Sequence, residues 1–149
     1  MSLQELFTAA EWRTLQFAPL WTFTAVAGAD QNIDEKEVEA LGRELSRAGL
    51  FKEPLVQEVL SSVVRDLGNI MKAYTEDPRM VIEGLQEVAS VLAKRVPARQ
   101  AENFKRAMLY IGHQVAKASG GGIFGRREKI SDEEKAAIVL VAVALDLTL

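Results

Sequence analysis

Apolar residues recur along the chain at intervals of three and four residues, the spacing of one face of an α-helix. No segment alternates polar and apolar residues in the way that a half-buried strand does. Short polar turns separate the helical stripes. The pattern predicts an all-α fold, a compact bundle of about six or seven helices in a single domain over residues 1–149.

Turn and capping residues give the expected helix boundaries. Pro19 should divide the first apolar stretch, residues 3–29, into two helices or kink one. The stripe from Pro54 to Tyr74 predicts one long helix. Asp77 and Pro78 fit an N-cap and first position of the next helix, which would end near Pro97. A further helix is expected over about 98–118.

Two helices have acidic beginnings of the same kind. Asp34 with Glu37, and Ser131 with Glu134, have the spacing of a capping box, in which a cap side chain and a glutamate three residues later bond the free backbone amides of the first turn. The helix after Ser131 is almost wholly apolar. It is therefore expected to be the central, fully buried helix of the bundle.

Composition excludes several classes of function. The chain has no cysteine, so disulfides, thiol nucleophiles and cysteine metal sites are ruled out. A net charge of −3 without a basic face argues against nucleic-acid binding. The longest apolar run, residues 136–145, is half the length of about 20 residues that a membrane span needs. The N-terminus lacks the features of a secretory signal, and a cytoplasmic location is expected.

The two acidic helix entries lie in segments that echo each other. Residues 26–37 read VAGADQNIDEKE, whereas residues 115–120 and 130–134 read VAKASG and ISDEE on either side of an insertion. Each has a helix ending in Ala, a polar or glycine turn, an Ile, a capping residue and a Glu. Ile33 and Ile130 are placed to act as hydrophobic staples. Two unrelated helix corners would be the alternative interpretation.

At these residues the chain resembles the TerB-like family, which includes tellurite-resistance TerB proteins and the N-terminal domain of DjlA-type J-proteins. Members carry an Ala-Asp-Gly-x-Ile-x-x-x-Glu signature at a helix corner, often twice. Residues 29–37 match it with Gln31 in place of Gly, and the second copy has Ser119 in place of Asp. The resemblance implies a helical bundle with a pseudo-twofold internal repeat and a divalent-metal site made of motif acids. It also implies stress-response and membrane-linked associations.

The candidate metal ligands are Asp30, Asp34, Glu37 and Glu134, whose oxygens suit calcium or magnesium. The segment begins like an EF-hand loop but has Glu35 where that loop needs Gly, so an EF-hand is excluded. The alternative is that these side chains only cap helices. Loss of the second motif Asp at Ser119 weakens the case for a symmetric site.

Three other features bear on function. His113, the single histidine, has no recognisable nucleophile or orienting acid and is expected to be a partly exposed helix residue. Ile123 and Phe124, at the tip of the glycine loop 120–125, suggest a partner-binding or membrane-touching finger, with an ordinary surface loop as the alternative. The aromatic residues of the first helices are expected in the core, although a share of them could form a homodimer interface; they are Trp12, Phe17, Trp21 and Phe23.

These observations favour a non-enzymatic binding or scaffold domain of TerB-like type that acts through protein partners. Two other classes were kept open. A metal-dependent hydrolase would need Asp30, Glu37 and Glu134 to converge on one pocket. A small-ligand carrier would need a cavity among the helices.

Overall fold

The computed structural model of the chain describes residues 2–29, 35–119 and 130–148. Within these ranges the fold is all-α, as predicted, with seven α-helices, two short 3₁₀ turns and no strand. The 3₁₀ turns are Leu3–Leu6 and Ala48–Leu50. The helices are α1 (Ala9–Ala27), α2 (Glu35–Ser46), α3 (Pro54–Arg65), α4 (Leu67–Glu76), α5 (Val81–Arg95), α6 (Ala98–Ser119) and α7 (Asp132–Ala144).

Helix α1 is the centre of the bundle. It begins at a capping box in which the Thr8 hydroxyl accepts from the Glu11 amide at 3.1 Å and the Glu11 carboxylate accepts from the Thr8 amide at 2.8 Å. It packs against α5, α6 and α7, and also touches α3 and α4. Pro19 lies inside this single helix, so the expected division into two helices is wrong. Proline has no amide hydrogen, so it removes one backbone hydrogen bond of the helix. The packing of α1 against the surrounding helices stabilises α1 in spite of that loss.

The aromatic residues of α1 belong to the core. Trp12, Phe17 and Trp21 are all buried, which confirms the packing interpretation for them. Phe23 is only partly buried. The Phe17 ring meets both Trp21 and Tyr74 edge-on, each at 5.4 Å between ring centroids. Such edge-to-face pairs stabilise the packing beyond the burial of their area.

A glycine allows α1 and α5 to approach closely. Gly84 is buried on α5, and a Cβ built there would lie 2.2 Å from a ring carbon of Trp21. The indole therefore lies directly on the α5 backbone. The guanidinium of Arg79 lies 4.9 Å from the centroid of the same indole. The Trp21 ring is thus held by a helix backbone, by aromatic edges and by a cation.

The helices that follow the two acidic entries pack against the long helices α1 and α6. Helix α2, which comes after α1 in the chain, packs mainly on α6, whereas α7, which comes after α6, packs to similar extents on α1, α5 and α6. Helices α1 and α6 also pack against each other; a Cβ on Gly112 of α6 would lie 3.1 Å from a methyl carbon of Thr22 on α1. The four helices form an interlocked set.

The long helix expected after Pro54 is in fact two. Asp66, with φ of −134° and ψ of 37°, separates α3 from α4. Its carboxylate accepts a hydrogen bond from the Asn69 amide group at 2.8 Å. Asp, Gly68 and Asn69 all favour turns over helix interiors, so the local preference interrupts an apolar stripe that continues on both sides.

The cap expected at Asp77 is also wrong. Asp77 ends α4, and its carboxylate accepts from the Arg79 backbone amide at 2.9 Å and from the Arg79 guanidinium at 2.9 and 3.0 Å. Helix α5 begins three residues later than the Asp-Pro pair suggests. The Met80 amide there donates to the Glu83 carboxylate at 2.9 Å.

Helix α7 is not the central helix, contrary to expectation. One face, including Ala137, Val141 and Leu145, is buried against α1, α5 and α6. The other face is exposed although it is apolar, with Val139 at 49%, Leu140 at 55% and Val143 at 68% exposure. The sequence of a helix that is apolar on all sides does not show which side packs against the bundle. The prediction that the whole of α7 is buried is therefore wrong.

A glutamate of α3 holds the N-terminal segment. The Glu58 carboxylate accepts from the backbone amides of Leu3 at 2.9 Å and Gln4 at 3.1 Å, and from the Ser2 hydroxyl. The Ser2 hydroxyl also accepts from the Gln4 amide at 3.1 Å. A local cap and a side chain more than 50 residues away in sequence therefore share the free amides at the start of the first 3₁₀ turn.

Candidate functional site

The second acidic corner is built as the sequence predicts. Ser131 precedes α7, and its hydroxyl accepts from the Glu134 amide at 3.1 Å. The Glu134 carboxylate accepts in return from the Ser131 amide at 3.1 Å. Glu134 is only 1% exposed. Its carboxylate satisfies backbone donors at the helix start, which is the structural role that a capping box provides.

At the first corner, α2 begins at Glu35, one residue after the predicted cap at Asp34. Glu37 lies in the first turn of α2 and is fully buried. Asp30 and Asp34, the other two predicted ligands of this corner, lie outside the described residues, as does the segment with Ile123 and Phe124. The capping interaction predicted for Asp34 thus stays a prediction.

Glu37 and Glu134 are not part of a metal-ligating cluster in the ranges that the structure covers. Among those residues no three His, Asp or Glu side chains are grouped so that they could hold an ion. Glu134 already serves the start of α7. His113 is exposed on α6, in keeping with the prediction. Among the described residues, therefore, no group of carboxylates converges in the way that a metal-dependent hydrolase needs.

A groove on another part of the surface was not predicted. It lies where α2 ends, the chain makes the 3₁₀ turn Ala48–Leu50 and α3 begins, and its opposite wall is α6. Its volume is about 500 Å³, and it opens to solvent. This is the lower part of the size range of small-molecule and peptide pockets. It is therefore a candidate binding site on the described surface.

Apolar and aromatic side chains form the floor and walls of this groove. Val56 and Ala107 are buried beneath it. Phe51 meets Tyr110 edge-on, with 5.9 Å between their ring centroids. Leu50 is 71% exposed and Tyr110 46% exposed, so both side chains are open to solvent at the groove. A bound apolar group would cover them.

The rim of the groove is charged, and cations predominate. Arg47, Lys52 and Arg106 line it together with Glu44 and Glu53. Both acids already have partners. The Glu44 carboxylate lies 3.4 Å from the Arg47 guanidinium, and the Glu53 carboxylate accepts from the Asn103 amide group at 3.0 Å.

Arg106 pairs with Glu102, one turn earlier on α6, at 2.9 Å. This ion pair is about half exposed on both sides, and such surface pairs are weak. Arg106 can therefore turn toward a bound anionic group at little cost. Lys52 takes part in no ion pair among the described residues. The rim offers cations to a partner although the whole chain is acidic.

Sequence reasoning missed the groove because its walls are far apart in the chain. Residues 44–56 supply one side and residues 103–110 the other. A local signal is present at Leu50 and Phe51. These two large apolar residues directly follow Gly49, and glycine is typical of the residues that end helices. Apolar residues in a turn are more informative than apolar residues in a helix, because no helix face accounts for them.

None of the helices in the described ranges is long and apolar enough to cross a membrane. No family model matches the chain, and no solved structure matches it. The chain is 34% identical to the "uncharacterized protein ORF11'" of Methanothermobacter thermautotrophicus. The similarity extends over 151 aligned positions, 98% of this chain and 94% of that protein, so it includes every helix and both walls of the groove.

Proposed function

The chain belongs to the family of the uncharacterized protein ORF11' of Methanothermobacter thermautotrophicus, and we propose that it is a non-enzymatic, cytoplasmic binding domain of TerB-like type that acts through a protein partner. The observation that carries the proposal is the open groove between the α2–α3 connection and α6. It combines exposed apolar side chains with a cationic rim.

Two features of the fold support the TerB-like part of the proposal. Helix α2 packs mainly on α6, and α7 packs on α1 as well as on α5 and α6, so α1 and α6 each contact the helix that follows the other one, as a pseudo-twofold internal repeat would require. Glutamates at equivalent places, Glu37 and Glu134, are buried in the first turns of α2 and α7. This likeness extends the proposal to the stress-response role, including tellurite tolerance, that the family resemblance implies.

The occupant that fits the groove is a short peptide segment with a bulky apolar residue next to an acidic one. The apolar side chain would cover Leu50 and pack between Phe51 and Tyr110. The neighbouring carboxylate would meet Lys52 and Arg106 at the rim. A few desolvated apolar anchors surrounded by charge contacts carry most of the binding energy at such surfaces.

Selection from a displayed library of random 12-residue peptides tests this. We expect the selected peptides to combine a large apolar residue with Asp or Glu. Leu50→Glu should remove their binding, because it places a carboxylate at the apolar edge of the groove. Lys52→Glu should weaken it by about tenfold, the effect of losing one favourable charge contact for a repulsive one.

Val143→Glu is the matched control, because Val143 is equally exposed but lies on α7, away from the groove. It should bind the selected peptides as the wild type does. The proposal fails if no peptides are selected, or if Leu50→Glu and Val143→Glu bind them equally. Salt should weaken binding of the wild type, since rim charges are exposed and screened.

A divalent cation at the first acidic corner is a second candidate, favoured by the complete burial of Glu37 three residues after Asp34. Calcium and magnesium take carboxylate oxygens as ligands. Calorimetric titration of the wild type should then release heat that is lost in Glu37→Gln and kept in Glu39→Gln, an exposed position on the same helix. The absence of heat at millimolar metal would rule out the cation.

A further inference from the structure

Glu44 differs from the other charged residues of the groove because it is buried. Its side chain is only 5% exposed, although it lines a groove that opens to solvent. The three cations of the groove, Arg47, Lys52 and Arg106, are exposed, and Glu53 is half-buried. The Glu44 side chain therefore lies deep in the groove, below the charges of the rim.

The Glu44 carboxylate has a weak partner. Among the described residues, its one hydrogen bond comes from the Arg47 guanidinium, with 3.4 Å between nitrogen and oxygen. Hydrogen bonds between a cation and a carboxylate are normally about 2.7–2.9 Å long. A carboxylate that is removed from water needs strong donors to offset the loss of its hydration. The long contact with Arg47 supplies only part of that, so Glu44 can accept from a further donor.

We propose, on the basis of the peptide-binding function given above, that Glu44 binds a basic side chain of the bound segment. A lysine ammonium or an arginine guanidinium brings both the opposite charge and several N–H donors to the carboxylate. Such a side chain would take the place of Arg47. Half of the Arg47 side chain is already exposed, so its guanidinium can turn into solvent at little cost.

The length of the groove matches a segment of about three extended residues. The α6 wall runs from Asn103 to Tyr110, which is about 10 Å at a helical rise of about 1.5 Å per residue. The opposite wall follows the same line, because Phe51 meets Tyr110 and Glu53 accepts from Asn103. An extended peptide spans about 3.3 Å per residue, so the groove has room for one apolar, one acidic and one basic residue.

The two kinds of charge in the groove select against other segments. A purely basic segment would be repelled by Lys52 and Arg106 at the rim. A purely acidic segment would be attracted by the rim but would place a second negative charge near the buried Glu44 carboxylate. A segment with charges of both signs avoids both costs. The groove thus favours its ligand partly by penalising the alternatives.

Parallel selections from the displayed peptide library test the proposal. Peptides that bind the wild type should carry Lys or Arg close to the apolar and acidic residues, several times more often than the unselected library does. The enrichment of Lys and Arg should disappear in Glu44→Gln, which keeps the size of the side chain and removes its charge. Glu39→Gln is the matched control, since Glu39 is exposed on the same helix and does not line the groove. It should select the same basic residues as the wild type.

The affinity of one selected peptide then measures the contact. Replacing its basic residue by glutamine should weaken binding to the wild type by about tenfold, the effect of losing one close charge pair. The same replacement should not change binding to Glu44→Gln. The comparison uses two peptides on one protein, so a general loss of stability in the variant does not produce this result. If circular dichroism shows that Glu44→Gln is unfolded, Glu44→Asp takes its place and should lower the preference, because its carboxylate is drawn back.

Two results would remove the Glu44 subsite and leave the proposed function intact. One is a set of selected peptides that share apolar and acidic residues but no basic one. The other is a preference for basic residues that persists in Glu44→Gln, as it would if the amine met Glu53 instead. A wild type that selects no peptide at all contradicts the proposed function itself, and the subsite with it.

Discussion

Replacing Gly84 by alanine tests how closely α1 and α5 pack. The added Cβ would lie 2.2, 2.4 and 2.5 Å from three ring carbons of Trp21. Carbon atoms in normal contact are about 3.5–4.0 Å apart, so the ring or the helix must move by more than 1 Å. The indole has little room, because Phe17 and Tyr74 meet it edge-on and Arg79 lies on the ring.

The expected cost follows from two opposing effects. Overpacking of a filled core costs about 1–3 kcal/mol. Alanine is better than glycine inside a helix by about 1 kcal/mol, which offsets part of that cost. We expect the larger overpacking effect to prevail and Gly84→Ala to lower the free energy of unfolding by up to about 2 kcal/mol. For a chain of this length that lowers the melting temperature by up to about 8 °C.

Gly42→Ala is the matched control. Gly42 lies inside α2, and a Cβ there meets nothing within 4 Å. The same substitution should then raise stability by about 0.5–1 kcal/mol through helix propensity alone. Urea denaturation followed by circular dichroism measures both variants. If Gly84→Ala is as stable as Gly42→Ala, the indole does not rest on the α5 backbone and the packing argument is wrong.

Three more predictions concern charged groups. Glu58→Gln should speed hydrogen exchange of the Leu3 and Gln4 amides, which donate to the Glu58 carboxylate. The hydrogen bonds from the N-terminal segment hold the pKa of Glu58 below its usual value. Their contribution to stability is therefore complete above about pH 4.5 and is lost as pH falls through the lowered pKa. Arg79→Lys should cost about 1–2 kcal/mol in urea denaturation, since lysine cannot reproduce the two-pronged bond to Asp77 or the stacking on the indole. In thermal melts, the loss of stability between about pH 4.5 and 2 should be smaller in Glu11→Gln than in the wild type, because hydrogen bonds from Arg95 lower the pKa of Glu11 to about 2.

The sequence predicted the helix entries best where one residue pair decides the local structure. The capping box of Ser131 and Glu134 and the helix after Pro97 are confirmed, because their signals are local. The break at Asp66 was missed since the apolar stripe continues past it, while turn-favouring residues interrupt the backbone. The Asp77 cap failed because Arg79, two residues later, binds the carboxylate that would have served the helix.

The location of the groove and the exposed face of α7 needed the tertiary structure. Periodicity tells which residues share a helix face but not which face meets a neighbour. Helix α7 has apolar residues on all sides, so its orientation is set by its contacts with α1 and α6. The local sequence of α7 does not show those contacts. The groove likewise exists only once α6 comes to lie beside the α2–α3 connection.

The central position of α1 has a consequence for synthesis of the chain. The helices that bury α1 most extensively, α5, α6 and α7, are all in the second half of the sequence. At about 5–20 residues per second, α1 leaves the ribosome roughly ten seconds before α7 is complete. During that time the two tryptophans and Phe17 of α1 lack the three helices that bury most of α1. A nascent chain of this design exposes a strongly apolar helix early and completes its core last, so it is a natural client for chaperones that bind near the ribosomal exit.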